Sequence, residues 1–267
     1  MSSPSSIVGS VAVTVLGSGS KGNALVVQAG GFNLLVDAGF SGRELRRRLE
    51  GVGLGALRLD AALVTHEHDD HVKGLRVTAG HYRLPAYCSR LTAEALRSRD
   101  AAPERLHLFT PGAAFAVGPF EVEPFSIPHD AIDPVGFTLR VGPVKLGLAT
   151  DLGHVSHLVA QHLLECDLLL VESNHDVKMV WDSGRPWNLK RRILGNHGHL
   201  SNDACSDLLR KVLHPRTRHL VLAHASQECN RYELIEQVAR QCVTSLGRAD
   251  LAPRVARQDD SLSTLWV

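Results

Sequence analysis

The sequence predicts an α/β protein built as one domain of two β-sheets covered by helices. Three observations predict it. Strand signals dominate the first half, strands and helices alternate in the second, and no linker-like stretch separates the halves. A chain of 267 residues is long enough to bury a sizeable core around such an arrangement.

The elements follow in order from local pattern. VAVTVL (11–16), ALVVQA (24–29) and FNLLVDA (32–38) are short runs rich in β-branched residues, separated by Gly-rich turns, and read as a meander. ELRRRLEGVG (44–53) reads as a helix, with Leu45, Leu49 and Val52 on one face and Arg46, Arg47 and Arg48 on an exposed one. AALV (61–64) is a strand, and a helix is expected around Leu91 to Arg97. LHLF (106–109), AFAV (114–117), FEVEPF (120–125), VGFTLRV (135–141) and VKLGLAT (144–150) return to strand character. HLVAQHLLE (157–165) is helical and leads into the strand DLLLVE (167–172). NDACSDLLRKVL (202–213) is a helix with Ser201 or Asn202 as its N-cap, and HLVLAH (219–224) is a strand. ELIEQVARQCVTSLG (233–247) is a helix stopped by Gly247. Residues 174–200 show little periodicity and read as a long functional loop, with Trp181 and Trp187 expected to pack it together and base stacking as the alternative reading.

Composition narrows the class. The apolar and charged fractions, 44% and 21%, are those of an ordinary water-soluble domain. No apolar run approaches the ~20 residues needed to span a bilayer, so no membrane partner is expected. MSSPSSIVGS lacks a basic n-region and an apolar h-region, so no export signal is expected and the first ten residues read as flexible. Five scattered cysteines with no CxxC pair fit a reducing cytoplasmic setting. A net charge of +1 excludes a uniformly basic surface but not a local basic patch. The residues do not specify an oligomeric state.

The densest chemistry is THEHDDH (65–71), which follows the AALV strand. His66 and His68, spaced by two at a strand end, can present imidazoles to one ion, while Asp70 and His71 point elsewhere and can serve a second. Imidazole with carboxylate suits zinc, manganese or iron better than magnesium or calcium. Glu67, between two candidate ligands, is expected to face solvent. One array cannot complete two coordination spheres. His129, Asp151 and His224, each following an apolar strand, are the candidates to complete them, with Asp151 able to bridge ions about 3.5–4 Å apart.

His66, His68, Asp70 and His71, followed by His129, Asp151 and His224 in that order, resemble the metallo-β-lactamase fold of dinuclear hydrolases over nearly the whole chain. The resemblance implies an αββα sandwich, spanning 1–267 as a single domain, with the metals at one edge. It implies His66, His68 and His129 on one divalent ion, Asp70, His71 and His224 on the other, and Asp151 between them. Asp151 stands where typical zinc β-lactamases carry Cys, which argues against an antibiotic-hydrolysing role. SGSKGN (18–23), LVDAGFSGREL (35–45), PHDAIDPVGFTL (128–139), ATDLGHVS (149–156), ESNHD (172–176) and RILGNHGHLSN (192–202) look like the WalJ/YycJ-type branch, associated with 5′→3′ DNA exonuclease activity. The segment AHASQECN (223–230) departs from that branch's HLSxxNN pattern at Ala225 and Cys229, while His224 is retained.

Two ions would activate a water for attack and neutralise charge on the reacting group, with Asp70 orienting that water. The substrate class must be read elsewhere. In GNHGHLSND (195–203), His199 precedes a helix start at Ser201 and Asn202, where free N–H groups and the helix dipole favour phosphate. His199 is the expected donor to a phosphoryl or leaving oxygen, with Glu172 holding its tautomer. A similar Glu–His pair occurs in the tRNA 3′-processing enzymes that the chain also resembles. Asn174 and His175 are further candidate substrate contacts, and Lys190, Arg191 and Arg192 candidate phosphate contacts. Ser20, Lys21 and Asn23, in a turn expected near the metal edge, could also touch substrate. The expectation is a dinuclear hydrolase holding two divalent ions, manganese or zinc with iron also suitable. It degrades DNA from a 5′ end and serves DNA repair. The competing readings are a small-molecule hydrolase acting on a cyclic phosphodiester, lactone or thioester, and a non-enzymatic scaffold.

Overall fold

The computed structural model describes residues 10–267; the expected flexibility of the first ten residues falls, apart from Ser10, outside the described residues. The first half carries β1 (Ala12–Gly17), β2 (Ala24–Ala29), β3 (Phe32–Val36), α1 (Gly42–Gly51), β4 (Ala61–Leu63), α2 (Asp69–Val72), α3 (Leu75–Tyr82), β5 (Ala86–Ser89), α4 (Arg90–Ser98) and β6 (Leu106–Phe109). The second carries β7 (Phe115–Val117), β8 (Phe120–Ser126), β9 (Val135–Val141), β10 (Val144–Ala149), α5 (His157–Leu163) and β11 (Leu168–Glu172). It continues with α6 (Val177–Asp182), α7 (Trp187–Ile193), α8 (Asn202–Val212), β12 (His219–Ala223), α9 (Tyr232–Ser245), β13 (Arg254–Val255) and β14 (Leu265–Trp266). Two seven-stranded sheets result, ordered β14-β1-β2-β3-β4-β5-β6 and β13-β12-β11-β10-β9-β8-β7.

Side-chain alternation builds the layers. Along β2, Leu25 and Val27 join Val13, Val15 and Leu34 in a core shared with Phe120, Phe137, Leu146 and Leu170 of the other sheet. Ala24 and Val26 point the other way, into a second core closed by Leu45 and Leu49 of α1, Ala79 of α3 and Leu96 of α4. On the far side, Leu169 and Val171 pack against Val159 of α5, Leu208 and Leu209 of α8 and Ile235 of α9. Helix, sheet, sheet, helix is therefore the layer order, as expected.

Serine caps fix where helices begin. Ser41, Ser89, Ser156 and Ser201 each accept the N–H three residues on, opening α1, α4, α5 and α8. Sheet register then decides where the site lies. β10, β11 and β12 run parallel, with Ala149 opposite Val171 and Glu172 opposite Ala223. β3 and β4 are also parallel, with Val36 opposite Leu63. The residues that follow these strands all leave at the same edge of the sandwich.

The structure corrects three expectations. Arg48 does not share the exposed face of Arg47; it is 7% exposed, donates to the Leu16 carbonyl at 2.7 Å and to Glu44 at 2.7 Å, and lies 4.0 Å over the Phe40 ring. The cause is helical spacing: position 48 lies three residues from Leu45 and beside Leu49, on the edge of the buried stripe. Residues 174–200 are not a featureless loop but carry α6 and α7. Trp181 and Trp187 do not pack that segment. Val180, Ile193 and Cys229 form its small core, leaving the two indoles 47% and 59% exposed. Helix α3 and strand β5 went unpredicted because Gly80 and Thr78 weaken one pattern and four residues are too few to show the other.

Candidate active site

The edge where the parallel strands end gathers the seven candidate ligands. His66 and His68 follow β4, Asp70 and His71 lie on the single turn of α2, and His129 follows β8. Asp151 follows β10 and His224 follows β12. His66, His68 and His129 bring ligating atoms within 4.8 Å of one another, and so do Asp70, His71 and His224. Asp151 reaches both groups: it clusters with His66 and His71, and its oxygens lie 3.4 Å from His224 and 3.8 Å from His129. The array and the three scattered residues thus come together in the predicted grouping.

The hydrogen bonds behind the rings assign their tautomers. His71 donates from Nδ1 to Asp37 at 2.8 Å, and His129 donates from Nδ1 to the Gly198 carbonyl at 3.1 Å. Thr65 gives its hydroxyl hydrogen to Asp37 at 2.9 Å and accepts from Nδ1 of His66 at 3.0 Å. His224 donates from Nδ1 to Glu172 at 2.8 Å. Each ring is left with an Nε2 lone pair aimed inward. His66 Nε2 and Asp151 Oδ2 are buried without a hydrogen-bond partner among the described residues, although Asp151 Oδ2 lies only 3.2 Å from His71 Nε2. Likewise, His68 Nδ1 lies 3.3 Å from His129 Nε2. Lone pairs facing one another in a buried edge require protons or cations between them. A set of imidazoles and carboxylates disposed this way fits divalent metal ions.

Electrostatics agree. Burial works against charge on His71, yet Asp151, Asp37 and Asp70 hold its pKa well above the ordinary histidine range. Burial likewise opposes charge on His224, and Asp151, Asp70 and Glu172 outweigh it. His66 goes the other way: burial, reinforced by His71, pushes it well below. Asp151 stays ionised against full burial because His224 and His71 face it.

Glu172 clusters with Asp151, His199 and His224, but its oxygens are already taken. Oε2 accepts the Leu152 and Leu200 N–H groups, each at 2.8 Å, and Oε1 accepts from Nδ1 of His199 at 3.0 Å and of His224 at 2.8 Å. It orients two rings and leaves His199 Nε2 available in a cavity of about 210 Å³ whose walls include Asp70, Asn174, Arg185 and Arg192. Burial raises the cost of that carboxylate, but His199 and His224 hold its pKa at about 2.

The other expected substrate contacts fare differently. Asn174 reaches the cavity and donates to the His224 carbonyl at 2.7 Å. His175 is buried away from it, its pKa lowered to about 4 by burial. Ser201 caps Ala204 N–H, and Asn202 N–H donates to the His175 carbonyl. The Asn202 side chain is locked between Ser173 and Asn230 at 2.8 to 3.0 Å. The start of α8 therefore turns these groups inward rather than presenting them to a phosphate. Glu67 also departs from expectation. It is 7% exposed because the loop carrying His129 covers it; Oε1 accepts the Ile132 N–H at 2.9 Å, and Oε2 has no partner among the described residues.

Asp37 was missed from the sequence, although it follows an apolar strand as Asp151 does. It anchors His71 directly and His66 through Thr65, tying the two groups of ligands together. Asn23, from the β1–β2 turn, donates to Asp70 at 3.3 Å and lies 3.1 Å from His71 Nε2. The turn thus sits at the metal edge, as expected, and Ser20 reaches the cavity.

Residues 32–225 match the beta-lactamase superfamily domain. The chain belongs to the beta-lactamase superfamily. Within that superfamily it is 36% identical over 236 residues to exodeoxyribonuclease YycJ of Bacillus anthracis, covering 88% of this chain and 89% of the relative. It is 34% identical over 242 residues to exodeoxyribonuclease WalJ of Streptococcus pneumoniae, covering 89% of each. The solved metallo-β-lactamase-fold protein YhfI from Bacillus subtilis superposes with a TM-score of 0.70 at 17% identity, over 95% of this chain and 99% of its own. The sandwich is thus the metallo-β-lactamase fold, and the chain is an enzyme of that hydrolase superfamily.

Proposed function

We propose that this protein is a divalent-metal-dependent phosphodiesterase that removes nucleotides from a 5′ end of DNA, reading residues 1–267 as one hydrolase domain. The observation that carries the reading is the cage of seven inward-facing ligands in a chain 34–36% identical, over 88–89% of its length, to two exodeoxyribonucleases. His66, His68 and His129 would hold one ion, Asp70, His71 and His224 a second, and Asp151 would lie between them; manganese and zinc suit this donor set, with iron also compatible. When bound, such ions supply Lewis acidity and lower the pKa of water toward neutrality.

The chain's own groups do the rest. Asp70, at the cavity wall, is placed to orient the attacking water. His199, with Nδ1 donated to Glu172, offers Nε2 for a hydrogen bond to a phosphoryl oxygen or a proton to the leaving oxygen. Arg185 and Arg192 line the same wall, paired with Glu228 and Asp130; exchange of either carboxylate for a phosphate oxygen would suit a phosphodiester better than a neutral lactone or thioester. Asn174 supports the His224 backbone and borders the substrate.

We place the protein in the cytoplasm and in DNA repair. All five cysteines are free and buried, and no helix among the described residues is long and apolar enough to cross a membrane. Duplex and single-stranded DNA, end-labelled and blocked at either the 5′ or the 3′ terminus, tests the reading with Mn²⁺, Mg²⁺ and Zn²⁺. Mononucleotide release that stops with a 5′ block and with Asp70→Ala is expected. Metal-loaded protein inert on every DNA substrate would overturn it.

A further inference from the structure

Beyond the cavity, the segment between α6 and α7 carries an unusual surface. Trp181 and Trp187 are both exposed, with ring centroids 5.3 Å apart and planes inclined by 36°. The inclination keeps them from covering each other face to face. Lys190 donates from Nζ to the Trp181 carbonyl at 2.6 Å, an exposed contact that bridges the end of α6 and α7. One face of α7, with Leu189, Arg192 and Ile193, lines the cavity that holds the candidate ligands. At 100° per residue the opposite face carries Trp187 and Arg191. Arg191 has no ion-pair partner among the described residues.

We infer that the Trp181–Trp187 pair is a stacking platform for the bases of a single strand whose terminal phosphodiester lies in the cavity. This rests on the DNA reading above and adds to it where the strand runs. Large aromatic faces left open to water beside the unpaired guanidinium of Arg191 suit nucleobases on a phosphate backbone, because every base has a π-face and stacking tolerates any sequence. Arg191 would meet a phosphate between the stacked bases, while Arg192, nearer the cavity, is paired with Asp130 and would meet a phosphate only by exchanging that partner. The width of α7, about 10 Å, separates the platform from the cavity wall. At about 3.4 Å per nucleotide that spans about three nucleotides. The platform therefore acts only on strands longer than that.

The test compares wild type with Trp181→Leu/Trp187→Leu and with Trp187→Phe, which keeps an aromatic face. Substrates are oligothymidylates of two to twenty nucleotides, an abasic strand of the same phosphate count, and bis(p-nitrophenyl) phosphate. The double leucine variant is expected to raise KM for the twenty-mer roughly ten- to a hundredfold. It should leave dinucleotide and bis(p-nitrophenyl) phosphate turnover unchanged, and Trp187→Phe should restore most of the loss. Binding of the oligothymidylate, but not of the abasic strand, should quench indole fluorescence in wild type. An unchanged KM on the twenty-mer, equal losses on the small diester, or quenching by the abasic strand as strong as by the thymidylate would overturn the platform. Wild type that cleaves no DNA would instead overturn the nuclease reading, and the quenching titration would still decide whether the indoles bind bases.

Discussion

Replacing Glu172 by Gln tests how the site is held, because the substitution keeps shape and removes only charge and acceptor capacity. In the native arrangement four donors converge on this fully buried carboxylate: two backbone N–H groups on Oε2 and two imidazole N–H groups on Oε1. A glutamine can accept with one oxygen only. If the amide oxygen faces Leu152 and Leu200, its NH₂ faces Nδ1–H of His199 and His224, and both rings must move their protons to Nε2. That places a hydrogen on the His224 nitrogen aimed at Asp70 and on the His199 nitrogen aimed at substrate. If the amide turns over, two backbone donors lose their acceptor instead. Either way about two charge-assisted hydrogen bonds are lost, each worth about 1.5–3 kcal/mol. A total of about 3–6 kcal/mol, expressed at the site, corresponds to a fall in kcat of roughly a hundred- to ten-thousandfold. Single-turnover cleavage of labelled DNA at saturating Mn²⁺ measures it, with circular dichroism verifying the fold and elemental analysis the bound metal. Activity within threefold of wild type would refute the tautomer argument.

Three further outcomes follow from the same geometry. Asp37→Asn leaves one acceptor oxygen where two serve the Thr65 N–H on one side and His71 Nδ1–H on the other, so an amide NH₂ must face one of these donors; metal affinity should fall about 10–100-fold by competition with a chelating dye, and an unchanged affinity would contradict the assignment. Gly39→Ala would place a Cβ 1.7 Å from the Asp70 carbonyl, where α2 docks against the loop after β3. It should lower the unfolding free energy by about 2 kcal/mol or more and abolish metal binding together, whereas Gly30→Ala, with nothing within 4 Å among the described residues, should spare metal binding. His71 and His224 have raised pKa values in the metal-free fold, so their protonation stabilises that fold fully below the unfolded value near 6.5, and the contribution is lost as pH climbs through their folded values. Metal-free protein should accordingly lose thermal stability as pH rises above about 6.5. Metal must displace those same protons, so affinity should rise with pH, and calorimetry in buffers of different ionisation enthalpy should detect proton release near pH 7. Binding that releases no protons would overturn the ligand assignment.

The candidate cage was legible in the sequence because residue types with few other uses stand immediately after strongly apolar runs. Asp151 follows VKLGLAT and His224 follows HLVLA, and parallel pairing brings such positions to one edge. Asp37 has the same signature after FNLLV but acts through His71 and Thr65, so the array looked complete without it. Asn202 was misjudged for a different reason. A capping pattern locates a helix start, yet whether its side chain is free depends on Asn230, 28 residues away in sequence. Glu67 likewise looked exposed until the loop at Ile132, 65 residues later, folded over it. Local pattern predicts elements and ligand types. It does not reveal which polar groups distant segments have already satisfied.

One backbone feature links the fold to the site. Asp37, Asp151 and His224 end their strands in the left-handed region, with φ of 58°, 60° and 56°. For residues other than glycine this conformation costs on the order of 1 kcal/mol or more, and glycine would adopt it freely. Three such positions converge on one cluster, at the ends of β3, β10 and β12. A strand that continued straight would send alternate side chains to the two faces of its sheet. The left-handed turn instead swings the first residues beyond the strand across the edge, where side chains from both sheets meet. Strain of this kind persists only where surrounding contacts over-determine it. Here the Asp37 carboxylate binds Thr65 and His71, the His224 N–H donates to Ser18, and Asp151 lies between His71 and His224. Two of the candidate ligands, Asp151 and His224, and Asp37, which orients His71, thus bear the strain, so substitutions at these three positions are expected to affect metal binding and local stability together.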